Sequence, residues 1–441
     1  MKKTTTLLLL VLMSASASFG QWTALGPGLP GRVKAIAIHN GKIYAGGAFN
    51  TYKNVAVYNE ASATWSTAGD GLSDSVSCLA VHLGSLYAGG YFKFNGSGDS
   101  LMYVAKLNAS TGKWERVYTG FNNFLRCLYS DGTNLYAGGA FVNSAVTGGS
   151  VSRIAKLTAN GWTNAGTSTS ITGQVAAITT HQGALYAAGS FTGNLLTRFN
   201  TGTNSWDVVS TGGAISGQEA SALASKGTKL YVGGNFNGSF MKGLAVYNGG
   251  SSFTPPFTSL YDGTVSALLS TPTKIFGGGS FTKNTNQQTL SRFFSSTGST
   301  PFSDNGGFNG DVLSLGNYNG YIIAGGSFTT AGGTAVSNIA KSSATIDVPE
   351  INDIVTAASV YPNPVREQAT MRFTTVQPVR NPGLQIIDAQ GRVVREALPS
   401  GGGNPLELLF EISREGLASG TYFYSLISSE GVLNSGKFMV Q

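Results

Sequence analysis

Apolar and polar residues alternate along most of this chain in short runs, and the runs are broken by Gly, Asn, Ser and Asp. A period of two marks β-strands with a covered face, and the polar clusters are their turns. No segment between residues 22 and 347 sustains the period of 3.6 that a helix needs. The pattern predicts an all-β fold.

The strands recur as a unit. The segment KIYAGGAF (42–49) returns as SLYAGGYF (85–92), NLYAGGAF (134–141), ALYAAGSF (184–191), KLYVGGNF (229–236), KIFGGGSF (274–281) and YIIAGGSF (321–328). Aligned on the third position, the steps are 43, 49, 50, 45, 45 and 47 residues. Seven copies at this spacing predict seven blades of four strands each. A short apolar strand precedes each copy, as in VKAIAIH (33–39), and a third strand follows, as in NVAVYN (54–59). A fourth begins at an aromatic residue: Trp65, Trp114, Trp162, Trp206, Phe253 and Phe302.

The last copy stops at NIAKSSAT (338–345) without that strand, whereas QWTALGPGL (21–29) matches TWSTAGDGL (64–72). Pairing the two ends closes the ring and removes a bare sheet edge. The glycine doublet has a packing reading: a large residue on one blade needs a glycine opposite it on the next. Glycine also permits a bulge.

The doublet, a downstream Tyr and a later Trp (Gly46-Gly47, Tyr58 and Trp65 in the first copy) resemble the kelch repeat over residues 22–347. The resemblance implies a β-propeller with its two ends joined in one blade. It implies no single function. The phenylalanine two places after the doublet is not part of the usual kelch pattern.

The C-terminal segment resembles the type A C-terminal sorting domain of the type IX (Por) secretion system. The resemblance rests on Tyr361-Pro362-Asn363-Pro364, the turn around Gly391, Gly420 with Tyr422, and the terminal run from Lys437. It implies a small Ig-like β-sandwich, a partnership with the type IX secretion machinery, and passage across the outer membrane before the domain is removed. The expected organisation is a signal peptide (1–20), a seven-bladed kelch-like β-propeller (21–347), a linker (348–358) and the sorting domain (359–441).

Composition supports an exported protein. Charged residues are only 11% of the chain, while 41% is hydrophobic, which is too apolar for disorder. Lys2 and Lys3, the apolar run 7–13 and the small residues 14–20 read as a signal peptide cleaved before Gln21. No other stretch reaches the roughly 18 apolar residues of a transmembrane helix. The formal net charge is +7, yet no basic run exceeds Lys2-Lys3. Nucleic-acid binding, which needs clustered cations, is not expected. The propeller is expected to be monomeric.

Catalytic and metal chemistry lack players. His39, His82 and His181 are the only histidines, and each falls at a turn in a different blade. No metal and no cofactor is expected. Cys78 and Cys127 fill a small-residue slot in the first strand and read as free thiols. Residues 21–347 contain twelve acids, mostly at turns, whereas glycoside hydrolysis needs two facing carboxylates. The favoured functional surface is the rim bearing the variable loops. Its candidates are Arg32, Tyr118, Phe121, Asn122, Asn123, Tyr261, Asp262, Phe308 and Asp311. Aromatics beside Asn suit an extracellular glycan or protein ligand. The alternative is a polysaccharide-acting enzyme with its site on the same rim.

Overall fold

The computed structural model describes residues 22–142, 152–167, 170–210, 215–238, 241–250, 252–255, 262–272, 274–282, 292–296, 307–342, 355–375, 379, 382–388, 393–400, 404, 406–428 and 431–441. The expected signal peptide, Tyr261, Phe302 and Gly391 lie outside the described residues. The chain divides into two compact units, Met1–Ile346 and Asp347–Gln441.

The first unit is made of antiparallel sheets of the form expected of propeller blades. Among the described residues, six have four strands and one has three, apart from a short hairpin at 330–335. In the first sheet, Arg32–His39, Lys42–Ala48, Val55–Asn59 and Thr64–Thr67 lie side by side in chain order. The last sheet departs from that order. Asp311–Tyr318, Tyr321–Ser327 and Ile339–Ser342 are completed by Trp22–Ala24, with Trp22 opposite Ser342. The first strands of successive sheets are neighbours, and that of the last sheet lies beside that of the first. Together they border a cavity of about 230 Å³, lined from Ala35 and Cys78 round to Ala267 and Ser314.

The two glycines of the doublet do different work. A Cβ on Gly46 would stand 2.5 Å from Val76 Cγ1 in the next sheet. The same approach recurs at Gly138 against Val175 (2.6 Å), Gly278 against Val312 (2.4 Å) and, from last sheet to first, Gly325 against Val33 (2.5 Å). The first glycine therefore receives a branched side chain from the neighbouring sheet. The second faces its own sheet. Every first strand carries a register shift near its start, at Val33/Ala35 in the first sheet. A Cβ on Gly47 would lie 2.0 Å from the Arg32 carbonyl oxygen beside that bulge.

The aromatic residues lock the outer parts. Phe49, Phe92, Phe141, Phe236, Phe281 and Phe328 are buried. Trp65 Nε1 donates to Leu25 O (2.9 Å), Trp114 Nε1 to Ala68 O (2.9 Å) and Trp206 Nε1 to Ala165 O (2.7 Å). Each acceptor directly follows the outer strand of the preceding sheet, so the tryptophan ties neighbouring sheets together.

In the second unit, Val355–Tyr361, Gln368–Thr375 and Glu407–Ser413 form one sheet. Val393–Ala397, Gly383–Ile387, Gly420–Ser428 and Gly431–Val440 form another. The two share a core containing Met371, Phe373, Ile386, Phe410, Leu426 and Phe438. Of the linker expected over 348–358, residues 348–354 lie outside the described residues and residues 355–358 belong to the first strand of this unit. Val355 pairs with Thr375, so strand pairing extends upstream of the YPNP motif.

Candidate functional site

Most of the expected rim residues serve the fold. Phe121 and Phe308 are buried, against the expectation that they meet a ligand. Phe121 packs on Phe141 and Trp162, and Phe308 on Trp22 and Phe328. Asn122 exchanges hydrogen bonds with the backbone of Val142, accepting from its N–H at 3.1 Å and donating to its carbonyl. Asp262 accepts from Thr282 N–H and Thr282 Oγ1, both at 2.6 Å. Thr172 with Thr192, and Asn309 with Thr329, repeat the arrangement at the same separation of 20 residues. These side chains clip the loop that leads into a sheet to the loop after its second strand.

The other candidates are scattered. Asn123 Oδ1 accepts from the Phe124 N–H (2.9 Å), and Asp311 pairs with Arg292 at 3.5 Å. Tyr118 is half exposed and donates to Ala159 O at 2.6 Å in the next sheet. Arg32 is exposed and donates from Nε to Ser327 Oγ at 3.2 Å. Arg32 lies beside a convergent cluster of cations and aromatic rings, and Asp311 pairs in register with the same Ser327 that Arg32 bonds.

That cluster forms where the bulged starts of the first strands meet, beside the small cavity that Lys34 also lines. Lys34 Nζ donates to Ser75 Oγ (3.0 Å) and lies 5.5 Å from the centre of the Tyr91 ring. Tyr91 is 40% exposed and stacks on Phe124, with ring centres 4.4 Å apart and planes at 19°. Arg126 reaches over the fourth sheet to Glu219 in the fifth (2.7 Å), passing Gln174 at 3.4 Å. Burial lowers the Lys34 pKa, and the charges of Arg32 and Arg126 lower it further against the opposing pull of Asp74. Sequence reasoning missed Lys34, Tyr91, Phe124 and Arg126. A signal was present: the place held by Tyr91 in YAGGxF is Ala48, Ala140, Ser190, Asn235, Ser280 or Ser327 in the other copies.

A larger cleft, about 870 Å³, opens between the third and fourth sheets at the turns joining first to second strands. Tyr129, Asp131, Tyr136, Lys156 and Asp207 line it. Its acids are held locally. Asp131 Oδ1 accepts from the N–H groups of Thr133 (2.8 Å) and Asn134 (2.6 Å), and Asp207 accepts from Asn200 Nδ2 (2.9 Å). Burial pushes the Asp131 carboxyl up, but hydrogen bonds from Asn134, Thr133 and Tyr136 outweigh it and hold it below its ordinary value. Burial and the neighbouring Asp131 push the Tyr136 hydroxyl up to about 12.

Two of the three histidines act as ties at the same level, whereas His39 meets its own neighbour Asn40. His82 Nδ1 meets Ser130 Oγ at 2.9 Å and His181 Nδ1 meets Ser225 Oγ at 2.8 Å, each in the following sheet. Among the described residues, no group of three His, Cys, Asp or Glu side chains is placed to hold a metal. Cys78 and Cys127 are free thiols, and burial raises both pKa values, that of Cys127 to about 12. No described helix is long and apolar enough to cross a membrane.

In the second unit, the YPNP motif clamps the end of the chain. Asn363 Oδ1 accepts from Met439 N–H (2.9 Å), and Val365 N–H donates to Met439 O (2.7 Å). Pro362 and Pro364 both follow cis peptide bonds, and Tyr361 is exposed. Gly420 pairs with Val440, Tyr422 stacks on Phe438 and donates to Ala418 O (3.1 Å), and Lys437 is exposed.

The class so far defined is an all-β chain of repeated four-stranded sheets followed by a two-sheet C-terminal unit. Residues 359–441 of that unit match the family described as the secretion system C-terminal sorting domain. No curated protein matches the chain. Among solved structures, the chain is similar to PorZ of Porphyromonas gingivalis, described as an essential bacterial surface component of the type-IX secretion system. That likeness has 12% identity over 93% of this chain and 75% of that one, with a TM-score of 0.30. A fungal alcohol oxidase of the AA5 family, in complex with copper, is similar at 13% identity over 96% and 100% of the two chains, with a TM-score of 0.37. The computationally designed Ika8 protein is similar at 12% identity over 96% and 100%, with a TM-score of 0.27. At these TM-scores none of the three bears on the function of the chain.

Proposed function

We propose that the chain is a secreted or cell-surface, seven-bladed, kelch-like β-propeller exported by the type IX secretion machinery through an Ig-like sorting domain. Its propeller binds an extracellular ligand, a glycan or a protein, and works as a monomer without catalysing a reaction. The match of residues 359–441 to the sorting-domain family carries the export reading. Binding rather than catalysis is favoured because acids around the candidate sites are engaged: Asp131 and Asp207 by their turns, Asp262 by Thr282 and Glu219 by Arg126.

Export is tested by expressing the chain, with and without residues 359–441, in a bacterium that has type IX secretion. The full chain is expected at the cell surface or in the medium, and the shortened one inside the envelope. Equal surface delivery of both would refute the export reading. A glycan array probed with the purified chain tests binding, and turnover of any arrayed glycan would overturn the non-catalytic part.

A further inference from the structure

We infer that the chain binds an acidic saccharide, one bearing carboxylate or sulfate groups, on the exposed part of the Tyr91 ring, beside Lys34 and within reach of the neighbouring Arg32 charge. This rests on the ligand-binding reading above and names its site and ligand class.

The first observation is the ring pair. Six of seven copies place a small or short polar residue where the second copy has Tyr91. Tyr91 is not buried to fill space, since 40% of it remains exposed, and its ring is stacked nearly parallel on Phe124. Phe124 covers one face of Tyr91 and fixes the ring, Lys34 Nζ stands 5.5 Å from the ring centre, and the remainder of the ring is open to solvent. An exposed, immobilised aromatic ring suits the C–H side of a sugar ring, and Lys34 and Ser75 beside it are polar partners.

The second observation is the balance of charge. Asp74 accepts from Ser75 N–H (2.6 Å), Glu219 pairs with Arg126 (2.7 Å) and Asp311 with Arg292 (3.5 Å). Lys34 has the Ser75 hydroxyl at 3.0 Å and the Tyr91 ring, and Arg32 has the Ser327 hydroxyl at 3.2 Å; among the described residues neither has a carboxylate within ion-pair distance, and the Asp74 charge acts on Lys34 only from further away. Lys34 is half-buried beside the cavity at this convergence, where neighbouring cations oppose its charge. An anionic group set between Lys34 and Arg32 would relieve that repulsion and make charge-assisted hydrogen bonds. An acidic peptide would satisfy the cations but leave the ring face unused, so a saccharide fits both observations.

The test is calorimetric titration of the purified chain with galacturonic acid oligosaccharides, sulfated galactose oligosaccharides, neutral galactose oligosaccharides of equal length, and a poly-glutamate peptide. One or both acidic saccharides should bind at least about tenfold more tightly than the neutral one, and added salt should weaken them. Tyr91→Ala and Lys34→Met should each weaken acidic-saccharide binding by about tenfold or more. Lys34→Met keeps the apolar stem, and tryptophan fluorescence confirms that each variant is folded. Acidic-saccharide binding unchanged in both variants, equal binding of the neutral saccharide, or binding of the peptide alone would overturn the proposal. Each of these would leave the broader ligand-binding reading standing. A chain that bound nothing in this panel would overturn this proposal, and silence on the glycan array as well would strike the glycan half of the broader reading and leave a protein ligand.

Discussion

The fit of Gly46 against Val76 can be broken and restored. The backbone at Gly46 lies outside the left-handed region, so alanine there meets no conformational penalty. Its only obstacle is Val76, at 2.5 Å from the added Cβ to Cγ1 and 2.9 Å to Val76 Cβ. Overpacking of this kind costs about 1–3 kcal/mol. Val76→Ala removes two buried methyl groups, worth about 0.8 kcal/mol each plus a cavity contribution, so about 2 kcal/mol. Independent sites would give the double variant a loss of about 3–5 kcal/mol. The structure predicts less, because Val76→Ala removes the Cγ1 atom at 2.5 Å and leaves only the Cβ contact at 2.9 Å for the introduced methyl group to ease. A coupling of at least about 1 kcal/mol, in the stabilising direction, is expected.

The chain already contains this exchange. In the fourth copy Ala188 replaces the first glycine, and in the fifth Ala220 stands where Val76 stands in the second; both are buried in one core. The assay is urea unfolding followed by tryptophan fluorescence. All five tryptophans, at 22, 65, 114, 162 and 206, belong to the first unit, so the second does not contribute to the signal. Gly47→Ala is the control. Its clash at 2.0 Å is with the Arg32 carbonyl oxygen, and Val76→Ala should not rescue it. Additive losses for Gly46→Ala with Val76→Ala, or a Gly47→Ala variant as stable as Gly46→Ala, would refute the reasoning.

Other expectations follow from single contacts. Trp114→Phe deletes the bond to Ala68 O and leaves that buried carbonyl only the longer bond from Gly71 N–H (3.3 Å), whereas Trp162 Nε1 has no partner among the described residues. Trp114→Phe should therefore cost about 1 kcal/mol more than Trp162→Phe in thermal or urea unfolding, and equal costs would count against the tie between sheets. Burial lowers the pKa of both His82 and His181, so the unfolded chain binds more protons at these sites than the folded one. Stability should be fully present above the ordinary histidine pKa and should fall as pH drops from about 7 toward 5. A His82→Gln, His181→Gln double variant should flatten that dependence, and an unchanged slope would exclude these two residues as its source. Asp262→Ala should speed proteolysis around Thr282 while leaving acidic-saccharide binding intact; lost binding would return Asp262 to the site.

Much of the fold was legible because its constraints repeat. The period-two strands, the doublet and the pairing of Trp22–Ala24 with Ile339–Ser342 all follow from comparing copies. The site was less legible because its residues were judged by chemical type rather than by place in the repeat. Phe121 and Phe308 occupy the slot of Leu29, Leu72, Ile171 and Ile215, all of which are buried. Their alignment marked them as core. Asn122 and Asp262 looked free because their partners lie 20 residues away, beyond any local turn pattern. The ion pair of Arg126 with Glu219 joins sheets that are not adjacent in the chain, and nothing in strand periodicity brings those two residues together.

The repeat also offers a way to separate packing from function. A departure from the common pattern that a neighbouring copy compensates is a packing solution, and Ala188 with Ala220 is one. Tyr91 is compensated only in part. Ser75, opposite it in the same sheet, is the smallest residue at a place held elsewhere by Arg32, Phe124, Gln174, Glu219, Thr264 and Asp311, yet Tyr91 stays 40% exposed and stacks on a second aromatic, Phe124, from the next copy. Two large rings thus stand where the other copies have small or polar side chains near solvent. Exposed apolar area of this kind gains little for folding, because burial is what makes it stabilising. A feature that adds little to the fold, and that sits beside cations without carboxylate partners, is better explained by what it meets outside the chain.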